Sequence, residues 1–427
     1  MKIKGLRWWI LALVVLVTII NYLDRNTLGI MWAQIVQDLG LIDRTGMTDA
    51  EFNSRSKELF AYINMFFMVA YGLSQMLSGK LYDKIGTRRG FTLSALIWGI
   101  SDMLMALSTG VKSICTFRAG LGLGVAGPWP GTVKNNAEWF PQKERAMAQG
   151  LFNAGASIGA ILAPILIALI CASVGWKMTF IIIGILAPLW VLRKSNPKNH
   201  PFITDEEKQY ILSGQPETKV TDDKGLSWGQ LLAKRKSYAV ILSRFFLDPV
   251  WWMFVTWLPI YLGQKYNMDL KALAAHMWIP YVGAALGSIA GGWVSSHLVS
   301  AGKTVNFARK TSIIIGALIT LPALIYVAFV QDAMVAVCCM AIILFGFQFT
   351  MNNIQTLASD MYTGKSVGSL AGLGGAAATL GTILSICFIP MLTAGDNWTP
   401  FFIMGASLVP ISVCCVFLFG RNISHEA

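Results

Sequence analysis

Apolar stretches of about 20 residues recur along the whole chain, and each is long enough to span about 30 Å of hydrocarbon. A lipid interior offers no water to backbone N–H and C=O groups, so only helices and closed barrels cross it. Barrel strands alternate apolar and polar residues. No such alternation is present, and the expected class is an all-α membrane protein. Composition agrees: 55% of the 427 residues are hydrophobic and only 13% are charged, against about 25% charged in soluble domains.

Twelve spans are expected, at about 8–36, 58–79, 90–109, 113–133, 146–171, 176–193, 239–263, 272–295, 311–330, 333–358, 367–392 and 398–420. The longest polar stretch divides them six and six. The expected organisation is an N-terminal half (1–192), a linker (193–238) and a C-terminal half (239–427). Lys and Arg outnumber Asp and Glu by 34 to 22. The excess falls at the N-terminus, at Lys84, Arg88 and Arg89, at Lys143 and Arg145, through the linker, and at Lys303, Arg309 and Lys310. If the spans alternate, all of these lie on one side. The excess therefore reads as an orientation signal with both termini cytoplasmic, not as a nucleic-acid surface. The seven cysteines lie in or beside apolar runs without metal-ligand spacing, so neither a metal site nor a disulfide framework is expected. The first apolar run is too long for a cleavable signal peptide and lacks a small-residue cleavage site.

Asp24 and Arg25 sit side by side well inside the first span. A charge at the centre of a membrane helix costs roughly 2.5–3.5 kcal/mol on insertion scales. Such a pair persists only against a wet cavity or a partner, and a substrate or ion pathway is the default reading. Thr18, Asn21, Tyr22, Arg25 and Gly29 share a face by i+3 and i+4 spacing. Asp24 is turned about 100° away, toward another helix. Arg25 thus suits a substrate carboxylate, which its planar fork binds bidentately.

The segment Gly79-Lys-Leu-Tyr-Asp-Lys-Ile-Gly-Thr-Arg-Arg89 resembles the loop signature of the major facilitator superfamily at every defining position. The chain also resembles that superfamily's anion:cation symporter branch in Asn21-Tyr-Leu-Asp-Arg-Asn26, Phe117-Arg-Ala-Gly-Leu-Gly122, Glu138-Trp-Phe-Pro-Gln-Lys-Glu-Arg145 and Phe307-Ala-Arg-Lys-Thr311. Within the branch it is most similar to bacterial hexuronate transporters, through Lys4-Gly-Leu-Arg-Trp8, Phe152-Asn-Ala-Gly-Ala-Ser-Ile-Gly-Ala160 and Arg244-Phe-Phe-Leu-Asp-Pro-Val-Trp-Trp252. The resemblance implies the major facilitator fold, with twelve helices in two six-helix halves. It also implies alternating access around a midplane site, and Arg25 as the carboxylate anchor. Gly79, Asp83, Arg88 and Arg89 would form a conformational latch, with Asp83 capping a helix or pairing with a neighbouring basic residue.

Further candidates follow span by span. The second span places Tyr62 and Tyr71 so that one of them reaches the cavity; Tyr62 matches the family's cavity tyrosine, with a lipid-interface aromatic as the alternative. Arg118 departs from the family pattern, because the Glu common seven residues later is Val125 here. Arg118 is left to approach Asp24, to bind a second anion or to snorkel. Asn153 suits a sugar hydroxyl or a neighbouring helix. Arg244, Asp248 and Trp252 share a face, with Trp252 offered as a flat surface for a sugar ring. Asp248 reads as a hydroxyl acceptor, as a second protonatable group or as a structural partner of Arg244. Gln348, Asn352, Gln355 and Ser359 form a polar stripe suited to polyol recognition or to joining helices.

These residues lead to an expected function: uptake of a sugar-acid anion, foremost a hexuronate (galacturonate or glucuronate), across the inner membrane. An aldonate or aldarate is the alternative. No cofactor is expected, protons are the coupling ion, and Asp24, Asp248 and Arg118 are the coupling candidates. The chain is expected to act as a monomer whose partners are the small anion and the bilayer. A membrane-embedded enzyme is disfavoured by the lack of a nucleophile or metal constellation. A sensor is disfavoured by the lack of room for a signalling domain.

Overall fold

The computed structural model describes residues 2–187, 197, 200–215, 225–268, 270–393 and 397–423. The expected boundary at 192/193, the last residues of the sixth expected span and residues 216–224 of the expected linker lie outside these. The described residues form helices, with one isolated bridge between Ile3 and Ile203.

In chain order the helices are α1 (Leu6–Asp38), α2 (Asp49–Ile85), α3 (Thr87–Met105), α4 (Val111–Ala126), α5 (Pro128–Trp139), α6 (Arg145–Leu186), α7 (Asp205–Ser213), α8 (Trp228–Ala233), α9 (Tyr238–Tyr266), α10 (Leu270–His276), α11 (Trp278–Ser300), α12 (Val305–Val327), α13 (Ala333–Met361), α14 (Val367–Leu392) and α15 (Thr399–Phe419). Several exceed the expected spans because capped polar turns continue them. A capping box between Thr48 and Glu51 starts α2 nine residues before the span expected at 58. Thr304 caps α12 by accepting from Phe307 N–H, so the turn carrying Arg309 and Lys310 is helical. The eighth expected span, 272–295, is redrawn: α10 ends at His276 and α11 runs to Ser300.

Nine helices among the described residues are long and apolar enough to cross a bilayer, fewer than the twelve expected. α3 carries Arg88, Arg89 and Asp102, which lower its hydropathy. The fourth expected span is divided at Gly127 into α4 and α5, where Pro128 and Pro130 lack the N–H that a continuous ladder needs. The fifth and sixth expected spans appear as one element, α6, broken at Gly175 by a φ of 77° that suits glycine.

α1 packs on α6, α2 on α4, and α3 on both α4 and α6. In the second half of the chain α13 packs on α11 and α12, and α9 on α14 and α15. Two long seams cross between these groups, α2 against α14 and α6 against α11. α7 and α8 sit at the end of the bundle that carries the N-terminus. There Arg7 pairs with Glu144 at 2.9 Å and with Glu207 of α7 at 2.8 Å, and Lys80 donates to Leu226 O just before α8 at 2.8 Å. This is the linker end.

Candidate functional site

Arg25 projects from the middle of α1, half-buried, into a ring of aromatic faces. Its guanidinium carbon lies 4.9 Å from the Tyr71 ring centroid, 5.3 Å from Tyr22, 5.4 Å from Trp252 and 5.7 Å from Phe67. Among the described residues no carboxylate pairs with it, and its Nη2 is buried without a hydrogen-bond partner. Aromatic faces attract the cation through their quadrupoles but leave its in-plane N–H groups free for a ligand. Trp252 comes from α9, so the ring is closed by both halves of the chain.

The expected cavity tyrosine is placed differently. Tyr62 is half exposed and packs on Phe66, on a stripe with Val69, Leu73 and Leu77 that faces out of the bundle. Tyr71 and Phe67 lie on the opposite face of α2, so the α2 tyrosine beside Arg25 is Tyr71. It accepts from Gln75 Nε2 at 2.8 Å, which fixes its hydroxyl.

Asp24 points away from Arg25, as its helical offset requires. It is wholly buried against Trp98 and Asp102 of α3. Asp102, also wholly buried, was not among the residues singled out from the sequence. Its signal was available as a lone acid inside an apolar run. Arg118 does not snorkel: it is 3% exposed, donates from Nη2 to Asn64 Oδ1 at 2.8 Å and lies 4.8 Å from the Phe67 ring. Its charge acts on Asp102 and on Arg25. Val125 sits wholly buried in an apolar cluster with Trp98 and Leu121.

Asp248 accepts from Arg244 Nε at 3.0 Å, the structural pairing. The two charges offset each other. Arg244 also borders a small cavity with Trp129, Val133, Val240, Gln355 and Ala371.

The polar stripe of α13 is spent largely on the other half of the chain. Gln355 Oε1 accepts from Gln149 Nε2 at 2.7 Å and from Asn153 Nδ2 at 2.8 Å. Asn153 also donates to Asn352 Oδ1, which in turn accepts from Ser288 Oγ at 3.2 Å. Asn153 and Asn352 are therefore brought together, but as partners of each other. Gln348, one turn nearer the middle of the bundle, keeps a buried Oε1 without a partner.

At the linker end Asp83 makes both contacts expected of it. Lys134 Nζ donates to its Oδ1 at 2.9 Å. Ser369 N–H and Oγ–H each donate to its Oδ2 at 2.6 Å, and Gly368 N–H donates to Oδ1 at 3.1 Å. The carboxylate thus sits on the N-terminus of α14, where the helix dipole and free N–H groups favour an anion. Gly79 permits the approach, since a Cβ there would lie 2.2 Å from Gly368 O. Arg88 and Arg89 do not join this contact. Both are exposed, and the cation that Asp83 meets is Lys134. A second buried cluster joins the halves beside it: Asp360 lies 2.7 Å from Arg309 Nε and 3.7 Å from Arg145 Nη1.

The model of the major facilitator superfamily matches residues 14–386. The hexuronate transporter of Escherichia coli K12 is 31% identical over 408 residues, covering 94% of this chain and 91% of that relative. The galacturonate transporter of Dickeya chrysanthemi is 32% identical over 325 residues, 74% of this chain and 90% of that relative. The solved structure of a major facilitator proton:xylose symporter bound to 6-bromo-6-deoxy-D-glucose aligns with a TM-score of 0.74 at 14% identity, covering 97% of this chain and 96% of that one; this likeness shows the fold. With its apolar helices and central charged residues, the chain belongs to the major facilitator superfamily, a family of multi-pass membrane transporters rather than enzymes, and it resembles that family's hexuronate transporters.

Proposed function

We propose that the chain takes up a sugar-acid anion, foremost a hexuronate, by proton-coupled symport. Its twelve spans form two halves that rock around a central site, with both termini cytoplasmic. The observation that carries this reading is Arg25, a half-buried guanidinium with no carboxylate partner among the described residues, ringed by Tyr22, Tyr71 and Trp252. A uronate presents one carboxylate for the guanidinium fork and a ring whose C–H face suits Trp252. Gln348 Oε1 is available to accept from a hydroxyl. Asn153 and Asn352 become available only when the halves part at the linker end.

Asp24 is the leading proton carrier. One proton moved with a monoanion is electroneutral, and a further proton would move charge, worth about 2.3 kcal/mol per 100 mV. An aldarate carries a second carboxylate that needs a second cation. Arg244 is neutralised by Asp248, and Arg118 is enclosed by Asn64 and Phe67. The deciding experiment is uptake of radiolabelled galacturonate by proteoliposomes under an imposed proton gradient, challenged with glucuronate, galactonate, galactarate and phosphate. The hexuronate is expected to compete best. Equal inhibition by galactarate and galacturonate would reject the hexuronate assignment, and absence of uptake with all of them would reject sugar-acid transport.

A further inference from the structure

The only acid inside the membrane-crossing part of α3 among the described residues, Asp102, is buried beside Asp24 of α1. Asp24 and Asp102 are each wholly buried and face each other where side chains of α1 and α3 meet in one apolar cluster. All four carboxylate oxygens are buried, and the groups turned toward Asp24 are Asp102 and Trp98 Nε1. Two adjacent carboxylates in a low-dielectric interior cannot both stay ionised at ordinary cost, so such a pair holds a proton between them. The charged groups facing the pair are few. Arg118 of α4 acts on Asp102. Arg25 on α1 acts on Arg118. α6, which packs on both α1 and α3, carries only Arg145, Cys171 and Lys177 as titratable side chains, and none of them acts on either acid.

We propose that Asp102 is the second member of the proton-coupling site, so that Asp24 and Asp102 bind one transported proton as a unit. This deepens the proposed symport and rests on it. With one proton, the pair carries a single negative charge, which Arg118 balances. Without that proton the enclosed cluster is left one negative charge in excess.

The route to the substrate site is short. Arg118 Nη1 reaches Arg25 O at 3.5 Å, and Arg25 is the proposed carboxylate anchor. An anion held at Arg25 places negative charge beside Arg118 and the pair that Arg118 faces, and so favours protonation of that pair. By linkage, a proton on the pair favours the anion to the same degree. Protonation is a simple transfer: a proton from water, delivered as the site opens, forms an O–H on one carboxylate that donates to the other. It leaves by the reverse step on the opposite side.

The test compares wild type, Asp24→Asn, Asp102→Asn, the double variant carrying both of these, and Asp102→Glu in proteoliposomes. Two readouts are taken: galacturonate accumulation under a proton gradient across a pH series, and counterflow exchange with no gradient. Asp102→Asn is expected to lose about tenfold in accumulation, as Asp24→Asn does, while retaining exchange. The double variant is expected to be no worse than either single one. Asp102→Glu, which keeps the carboxyl in the event that the amide fails to fold, is expected to accumulate substrate with a displaced pH profile. Accumulation by Asp102→Asn equal to wild type, or an unshifted Asp102→Glu profile, would show that Asp24 acts without Asp102 while leaving symport intact. Absence of proton-driven accumulation in the wild type would instead remove the underlying reading.

Discussion

At the scale of single residues, the decisive feature is what surrounds Arg25. A guanidinium ringed by aromatic faces leaves its edge open to a ligand, a geometry that an ammonium does not reproduce. Arg25→Lys is therefore expected to abolish most uptake while leaving the protein folded, as judged by uptake alongside monodispersity in detergent. Wild-type transport by that variant would sink the anchor role. Tyr71 and Tyr62 give a paired test on one helix. Tyr71→Leu removes a ring 4.9 Å from the guanidinium and is expected to weaken substrate binding by about 0.5–2 kcal/mol. Tyr62→Leu alters an outward-facing residue and is expected to change the apparent affinity little. A larger loss from Tyr62→Leu would restore it to the site. The sequence offered both tyrosines and the family match pointed to Tyr62, whereas the surroundings of the side chains place Tyr71 at Arg25.

At the scale of elements, the α2–α14 contact combines a close backbone approach with a buried charge. Gly79 lets the helices meet, and Asp83 caps α14 while holding Lys134 at 2.9 Å. Removing one partner of a buried pair leaves the other uncompensated, at about 3–5 kcal/mol. Asp83→Asn is expected to loosen this contact and to lengthen the distance between spin labels placed on the linker ends of α2 and α14. An unchanged distance distribution would deny it a latching role. Arg88→Ala and Arg89→Ala are expected to leave that distance as it was. The motif is legible as a string, and Asp83 both caps α14 and meets a basic residue. That Lys134 rather than the two arginines of the motif is the cation depends on α5 crossing this end of α2, which no local spacing reveals.

At the scale of the whole molecule, the linker end is closed by contacts between the halves: the Asp83 cap, the Asp360 cluster and the amide network around Gln355. Gln355 accepts two hydrogen bonds from α6. Gln355→Leu removes both, at a net of about 0.5–1.5 kcal/mol each. It is expected to raise the population open at this end, read as faster alkylation of a Ser359→Cys reporter in a background lacking the seven native cysteines. Unaltered alkylation would show that the network does not hold the closure. The sequence by itself determined the helical class, the orientation signal, the position of Asp24 and Arg25 within a span, and the helical face each occupies. Span length, backbone hydrogen bonding in lipid and the turn angle of a helix are local properties, readable without knowing any neighbour. Tertiary structure alone decided the partners: Asp102 for Asp24, Asn64 for Arg118, Trp252 for Arg25 and Gln355 for Asn153. The reason is physical. Helices apolar on nearly every side have little amphipathic moment to show which face turns inward. Their polar side chains then find partners through the crossing and rotation of helices that lie far apart in the chain.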